Sequence, residues 1–199
     1  LVTFMTSGPA LALALERVGH TIVGCESSET VRGFISARRV PYIEDGVPEL
    51  LAQTSIEVAY LPRVVAHADI IFVVVQTPHA PEFEGSTPLP ATRRDFDYTA
   101  LVAACRDLSA EVDRQGRAPI VCIVSTVLPG TVRRFVRPVL SPRVRLVYNP
   151  SFIAMGVALA DYTDPEFVLL GGDDAEALDT VTQMYHSLVP QSAPVARTS

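Results

Sequence analysis

Short, wholly apolar runs alternate with longer amphipathic ones along this 199-residue chain, and that alternation restricts the fold more than any other feature. Ile70–Val75 and Ile120–Val124 hold no polar side chain, as strands covered on both faces require. Strands are expected at Leu1–Met5, His20–Cys25, Ile56–Ala59, Ile70–Val75, Ile120–Ser125, Arg145–Tyr148, Phe167–Leu170 and Pro194–Ala196. Helical patterns fill the intervals: Pro9–Val18, with proline suitably in the first turn, Ser28–Ser36, Pro48–Ala52, Asp97–Asp113, Thr131–Val139 and Ala175–Leu188. Such alternation implies right-handed crossovers onto a mostly parallel sheet with helices on both faces, which is a doubly wound α/β domain.

The length suits one domain, and residues 1–199 are read as one. Ile70–Val75, the longest strongly apolar stretch, is far shorter than the roughly 20 residues of a membrane helix. Leu1–Leu15 is uncharged, but it lacks a basic leader and is broken by Gly8-Pro9, so it reads as structure. With a net charge of −6 and no block of like charges, the chain has no nucleic-acid footprint. All 16 basic residues are arginine, which excludes phosphate-loop and Schiff-base lysine chemistry on these residues. Cys25, Cys105 and Cys122 form no CxxC pair and make a poor disulfide framework, which points to a reducing cytoplasm and core thiols. The histidines at 20, 67, 79 and 186 have no metal-ligand spacing, and His20 reads as the start of a strand.

In open α/β sheets ligands bind beyond the carboxyl ends of the strands, so the residues following each strand carry the functional information. Here these are Thr6-Ser7-Gly8-Pro9, Glu26, Gln76-Thr77-Pro78, the stretch Ser125–Thr131, and Asn149-Pro150-Ser151. Helix N–H groups after Gly8 could meet an anion, and an acid at position 26 could accept ribose hydroxyls. Each residue has an ordinary structural role as well. Gly8-Pro9 is a common helix-opening turn, Glu26 a solvated strand-end acid, and Asn149, the only asparagine, a turn closer. Thr131 reads more readily as a helix cap, Thr126 as a ligand contact. The 19-residue connection Gln76–Arg94, with four prolines, is either a functional lid or a disordered excursion.

Taken in order, these motifs resemble the NAD-binding N-terminal domain of the UDP-glucose/GDP-mannose dehydrogenases. Leu11–Leu15 through Gly19–Gly24 is similar to that family's first helix and second strand, and Glu44–Leu51 to its Glu-Pro-Gly-Leu-x-Glu-Leu-Leu segment. Ala68–Pro78 is similar to its fourth strand and Thr-Pro turn, and Asp97-Tyr98 to the start of the next helix. Ser125–Thr131 is close to Ser-Thr-Val-x-Pro-Gly-Thr, Asn149–Ile153 follows the Asn-Pro-Glu-Phe block, and Gly171–Asp174 completes the series. The resemblance implies a Rossmann-like fold, NAD as cofactor and a nucleotide-sugar substrate whose C6 alcohol is oxidised in two steps through a cysteine thiohemiacetal and thioester. It puts Gly8 and Glu26 at the adenosine and pyrophosphate end of the dinucleotide, with Thr77 and Thr126 along the rest.

Four departures accompany the resemblance. Thr3 and Met5 stand where the first two fingerprint glycines belong, Ser151 replaces a glutamate tied to the thioester steps, and Met155 replaces another near the nicotinamide. The family's catalytic cysteine and lysine lie beyond this domain, so no catalytic residue is expected on this chain, and Cys25, Cys105 and Cys122 are expected to be structural. The central helix through which members dimerise is likewise expected to be absent. The expectation is therefore a domain that binds NAD without turnover by itself. Two alternatives stay open: a non-catalytic binding homologue, and an oxidoreductase altered to perform a single two-electron oxidation. The apolar run Phe152–Gly156 either touches the sugar or packs as helix.

Overall fold

The computed structural model describes residues 8–86 and 88–198. Along it run α1 (Gly8–Arg17), β1 (Val23–Cys25), α2 (Glu29–Ser36), α3 (Val47–Gln53), β2 (Glu57–Ala59), α4 (Leu61–His67), β3 (Ile70–Val73), α5 (Thr99–Gln115), β4 (Ile120–Ile123), β5 (Arg145–Tyr148), α6 (Ala158–Thr163), β6 (Val168–Gly171), α7 (Ala175–Leu188) and β7 (Val195–Thr198). The expected strand Leu1–Met5 lies outside the described residues.

Strands β1 and β2 pair in parallel, and β3-β4-β5-β6-β7 form a second hydrogen-bonded array. β3, β4 and β5 run parallel in register, Ile70 beside Ile120 and Ile120 beside Arg145. Side chains alternate across these strands with the period of the pleat. Phe72, Cys122, Val124 and Val147 enter one core with α1, α3, α6 and α7. Ile71, Val73, Val121 and Ile123 enter the other with α4, α5 and the segment after β4. That division is why Ile70–Val75 and Ile120–Val124 are apolar throughout, and it bears out the doubly wound, mostly parallel arrangement. The two buried thiols belong to these cores, where burial pushes Cys105 up to about 12 and raises Cys122 further. Cys25, half-buried, is raised for the same reason.

Four local expectations change. β6 pairs antiparallel to β5, Tyr148 beside Gly171, and β7 follows β6, so one edge of the array runs opposite to the rest. The connection that precedes β6 carries only the short α6 and returns on the same side, and Gly172 permits the close pass, since a Cβ there would lie 3.1 Å from the Leu146 carbonyl. Residues 131–139 form not one regular helix but a wide π turn, Val132–Val136, followed by a 3-10 turn, Arg137–Val139. His20 lies outside β1, its Nε2 2.8 Å from Ser187 Oγ, because Gly19 takes a positive φ of 96° and delays the strand. The short helices α4 and α6 carry too few turns to print a helical period on the sequence.

Asp174 ties β5 to α7. It caps α7 by accepting from the Ala177 N–H at 2.9 Å and takes both Nε and Nη2 of Arg145, at 2.7 and 2.8 Å. The Arg145 hydrogen bonds and that cap hold its carboxyl at about 2, below the ordinary 3.8. A depressed carboxyl contributes stability above its unfolded value and loses it as pH falls toward its folded one. The Asp174→Asn protein is therefore expected to melt about 2 °C below the parent at pH 7, with the gap closing between pH 4 and pH 2 in a thermal scan. A gap that stays constant over that interval would show that the pair adds nothing to acid stability.

Candidate functional site

Because β3, β4 and β5 are parallel, the segments leaving their carboxyl ends emerge side by side. The Thr77 hydroxyl donates to the Thr126 carbonyl at 2.6 Å, joining two of the four residues expected to bind cofactor. Beneath them the buried Ser125 hydroxyl accepts from the Val75 N–H at 2.9 Å and donates to the Val73 carbonyl, locking the two strand ends together. The Asn149 N–H reaches the Ile123 carbonyl at 2.8 Å and brings the β5 end into the same row. A cleft of about 530 Å³ opens across the three ends, walled by Gln76 to His79, by Ser125 and Thr126, and by Ser151 and Ile153.

The other two expected residues stand apart, and neither Gly8 nor Glu26 lines that cleft. Gly8 heads the buried α1, with Pro9 in its first turn and no acid there. Glu26 follows β1 and is only 6% exposed. One oxygen, Oε1, accepts from the Ser28 N–H at 2.8 Å, while Arg32 donates to the Glu26 and Ser27 carbonyls at 2.7 and 3.0 Å and holds the turn. The second oxygen, Oε2, is buried with no hydrogen-bond partner among the described residues. A buried carboxylate oxygen left unpaired is costly, so its retention calls for donors from outside the chain. A ribose presents two hydroxyl donors in this position, so the residues fit a dinucleotide. Thr3 and Met5, the altered fingerprint positions, lie outside the described residues.

Several supports of the site were not legible beforehand. Glu44 is 3% exposed, and it accepts from the Gly156 N–H at 3.0 Å and the Ala158 N–H at 2.5 Å, fixing the turn that carries the 151–157 segment into α6. The following Gly46 has a φ of 74°, and a Cβ on it would meet Leu159 at 2.9 Å. The Tyr98 hydroxyl donates to Asp95 at 2.5 Å and accepts from the Leu128 N–H and the Thr131 hydroxyl, each at 3.2 Å. Thr131 is thus a buried tie to Tyr98 and not a helix cap. The long connection is anchored at its two ends by the Thr77 bond and by the Asp97 N–H on the Pro78 carbonyl, 2.8 Å.

Asn149 does more than close a turn. Its buried amide donates to the Leu169 carbonyl at 3.2 Å and accepts from the Tyr185 hydroxyl at 2.5 Å. Beyond it, residues 151–157 form no helix, contrary to one expectation, and Phe152 and Met155 are 58% and 57% exposed. Phe152 pairs with Phe167 at 4.8 Å between ring centres, on the wall of a second cleft of about 490 Å³. Ser151 and Ile153 belong to both clefts.

The model of the UDP-glucose/GDP-mannose dehydrogenase family, NAD binding domain, matches residues 7–189. The chain belongs to this family. Its relatives in that family include the GDP-mannose 6-dehydrogenase of Pseudomonas aeruginosa, 25% identical over 203 residues, with 96% of this chain and 43% of the relative covered. The UDP-glucose 6-dehydrogenase of Rhizobium meliloti is 28% identical over 195 residues, covering 91% of this chain and 41% of that one. Among solved structures, a ternary complex of the P. aeruginosa GDP-mannose dehydrogenase superposes with a TM-score of 0.84 at 25% identity over 97% of this chain and 44% of its own. The chain thus spans less than half the length of these dehydrogenases, and the span is that of the family's NAD binding domain. No helix among the described residues is long and apolar enough to cross a membrane, and none of their His, Cys, Asp and Glu side chains group to hold a metal.

Proposed function

We propose that these 199 residues are the cofactor domain of a cytoplasmic, NAD-dependent nucleotide-sugar 6-dehydrogenase, with Gly8 and Glu26 at the adenosine end of the dinucleotide and Thr77 and Thr126 along the nicotinamide end. The observation that carries the reading is Glu26, whose one pinned and one unpartnered oxygen, both at the mouth of β1, suit a ribose diol. When bound, the dinucleotide supplies the hydride acceptor. The chain's own contribution is orientation: hydroxyls and backbone N–H groups at the strand ends hold the cofactor, while Glu44, Tyr98 and Asn149 hold the loops that present them. The nucleophilic cysteine and the lysine belong to the remainder of a longer protein, which also provides most substrate contacts and the dimer interface. The chain by itself is expected to bind NADH, read as enhanced nicotinamide fluorescence, and to turn over no sugar nucleotide. No fluorescence change or calorimetric heat at millimolar cofactor would overturn the assignment.

A second reading has its own support in Ser151. It stands on the wall common to both clefts where the family resemblance calls for a glutamate, and a hydroxyl there cannot act as a carboxylate base. The altered enzyme would stop after one two-electron oxidation. Counting NADH formed per sugar by the full-length protein separates the two: two per turnover sustains the first reading and sinks the second.

A further inference from the structure

Of the residues walling the cleft at the β3, β4 and β5 ends, His79 is the one acid or base. Its Nδ1 lies 3.0 Å from the Ala80 carbonyl. A carbonyl can only accept, so Nδ1 carries the proton, and the Nε2 lone pair is left without a partner among the described residues. The two residues just before it are anchored, Thr77 by its bond to Thr126 and Pro78 by the Asp97 N–H on its carbonyl. The charged groups near it in sequence have contacts of their own. Asp97 accepts from the Thr99 N–H, Asp95 accepts from Tyr98, and Glu82 pairs with Arg94 at 3.5 Å. The facing segments, 125–131 and 149–153, contribute no acid or base at all.

From this placement we infer that His79 makes the cleft discriminate between the two redox forms of the dinucleotide, preferring the reduced form when the imidazole is protonated. The inference rests on the NAD reading and adds to it. The oxidised nicotinamide ring carries a positive charge that the reduced ring lacks, so a cation on the cleft wall favours NADH over NAD. A glutamate at position 151 would add a negative charge favouring the oxidised form, and serine leaves that wall neutral. The preference follows the charge of the imidazole, so it is pH-dependent.

The test measures dissociation constants of the 199-residue chain for NADH, by fluorescence, and for NAD, by calorimetry, at pH 8 and pH 6. The ratio of the NAD constant to the NADH constant is expected to rise about three- to tenfold on acidification, the effect of one unit charge across a half-open, water-screened cleft. In His79→Asn and His79→Gln, changes at an exposed position, the ratio is expected to stay flat. A flat ratio in the parent, or an equal rise in the variants, overturns the inference while leaving the cofactor reading intact. Failure of the parent to bind either form overturns both.

Discussion

Replacing Glu26 by alanine is expected to weaken NADH binding about ten- to a hundredfold, the largest loss from any single change at the cofactor site. The free oxygen sets the size of the loss. One ribose hydroxyl donating to the free oxygen of a buried carboxylate makes a charge-assisted hydrogen bond of roughly 1.5–3 kcal/mol, and about 1.4 kcal/mol corresponds to tenfold in affinity. Glu26→Gln keeps one acceptor of the same shape but loses the charge, so an intermediate loss is expected. The same carboxylate repels the extra phosphate of NADP, and the alanine protein should narrow the gap between the two dinucleotides. Fluorescence titration of all three proteins reads these effects directly. Fold integrity is the control: the alanine change removes the costly unpaired Oε2 together with one bond, that of Oε1 to the Ser28 N–H, so the protein should unfold within a few degrees of the parent. Affinity equal to the parent's would mean that the ribose is held elsewhere.

For stability, Glu44→Ala should be the most damaging single change, at about 2–4 kcal/mol. The carboxylate is nearly inaccessible and serves two backbone N–H groups, those of Gly156 and Ala158, across more than a hundred residues of chain. Removing it strands both donors, and each buried, unsatisfied donor costs roughly 1–3 kcal/mol. The Asp45 N–H also bonds the Gly156 carbonyl at 3.0 Å, so the two segments should separate together. Urea unfolding gives the size of the loss, and Glu44→Gln, which keeps one acceptor, should recover part of it. Because the same turn follows residues 151–154 on the wall of the second cleft, hydrogen exchange should quicken over residues 150–160 well before global unfolding. A loss below about 0.5 kcal/mol would show that water replaces the carboxylate without strain.

These two glutamates also mark how far the sequence can be read. Glu26 stands out by a local feature, an acid immediately after the second expected strand. Glu44 lay in a segment that matched the family, yet its partners at 156 and 158 are unrelated to it by any spacing. Tyr98 likewise stood in plain view beside Asp97, and only the fold brings Leu128 and Thr131 to its hydroxyl. Thr131 was misread for a related reason, since a threonine before a helical pattern has the chemistry of a cap, and a buried tyrosine hydroxyl competed for it. Thr77 and Thr126 meet, hydroxyl to carbonyl, because parallel strands deliver their ends to one edge whatever the details of packing.

The periodicity of apolar residues determined most of the secondary elements and the fold class. β5 and α7 begin and end where the pattern places them, at Arg145–Tyr148 and Ala175–Leu188, because a local repeat of two or 3.6 is enough to say which side of an element is buried. The ordered motifs determined the family for the same reason. Tertiary structure alone decided the reversed direction of β6, the wide turn after Thr131, the burial of Glu44 and the isolation of His79 as the charge-bearing group of its cleft. Those outcomes depend on which distant groups share a low-dielectric space, where an unpartnered donor or charge is costly, and no spacing along a chain encodes that.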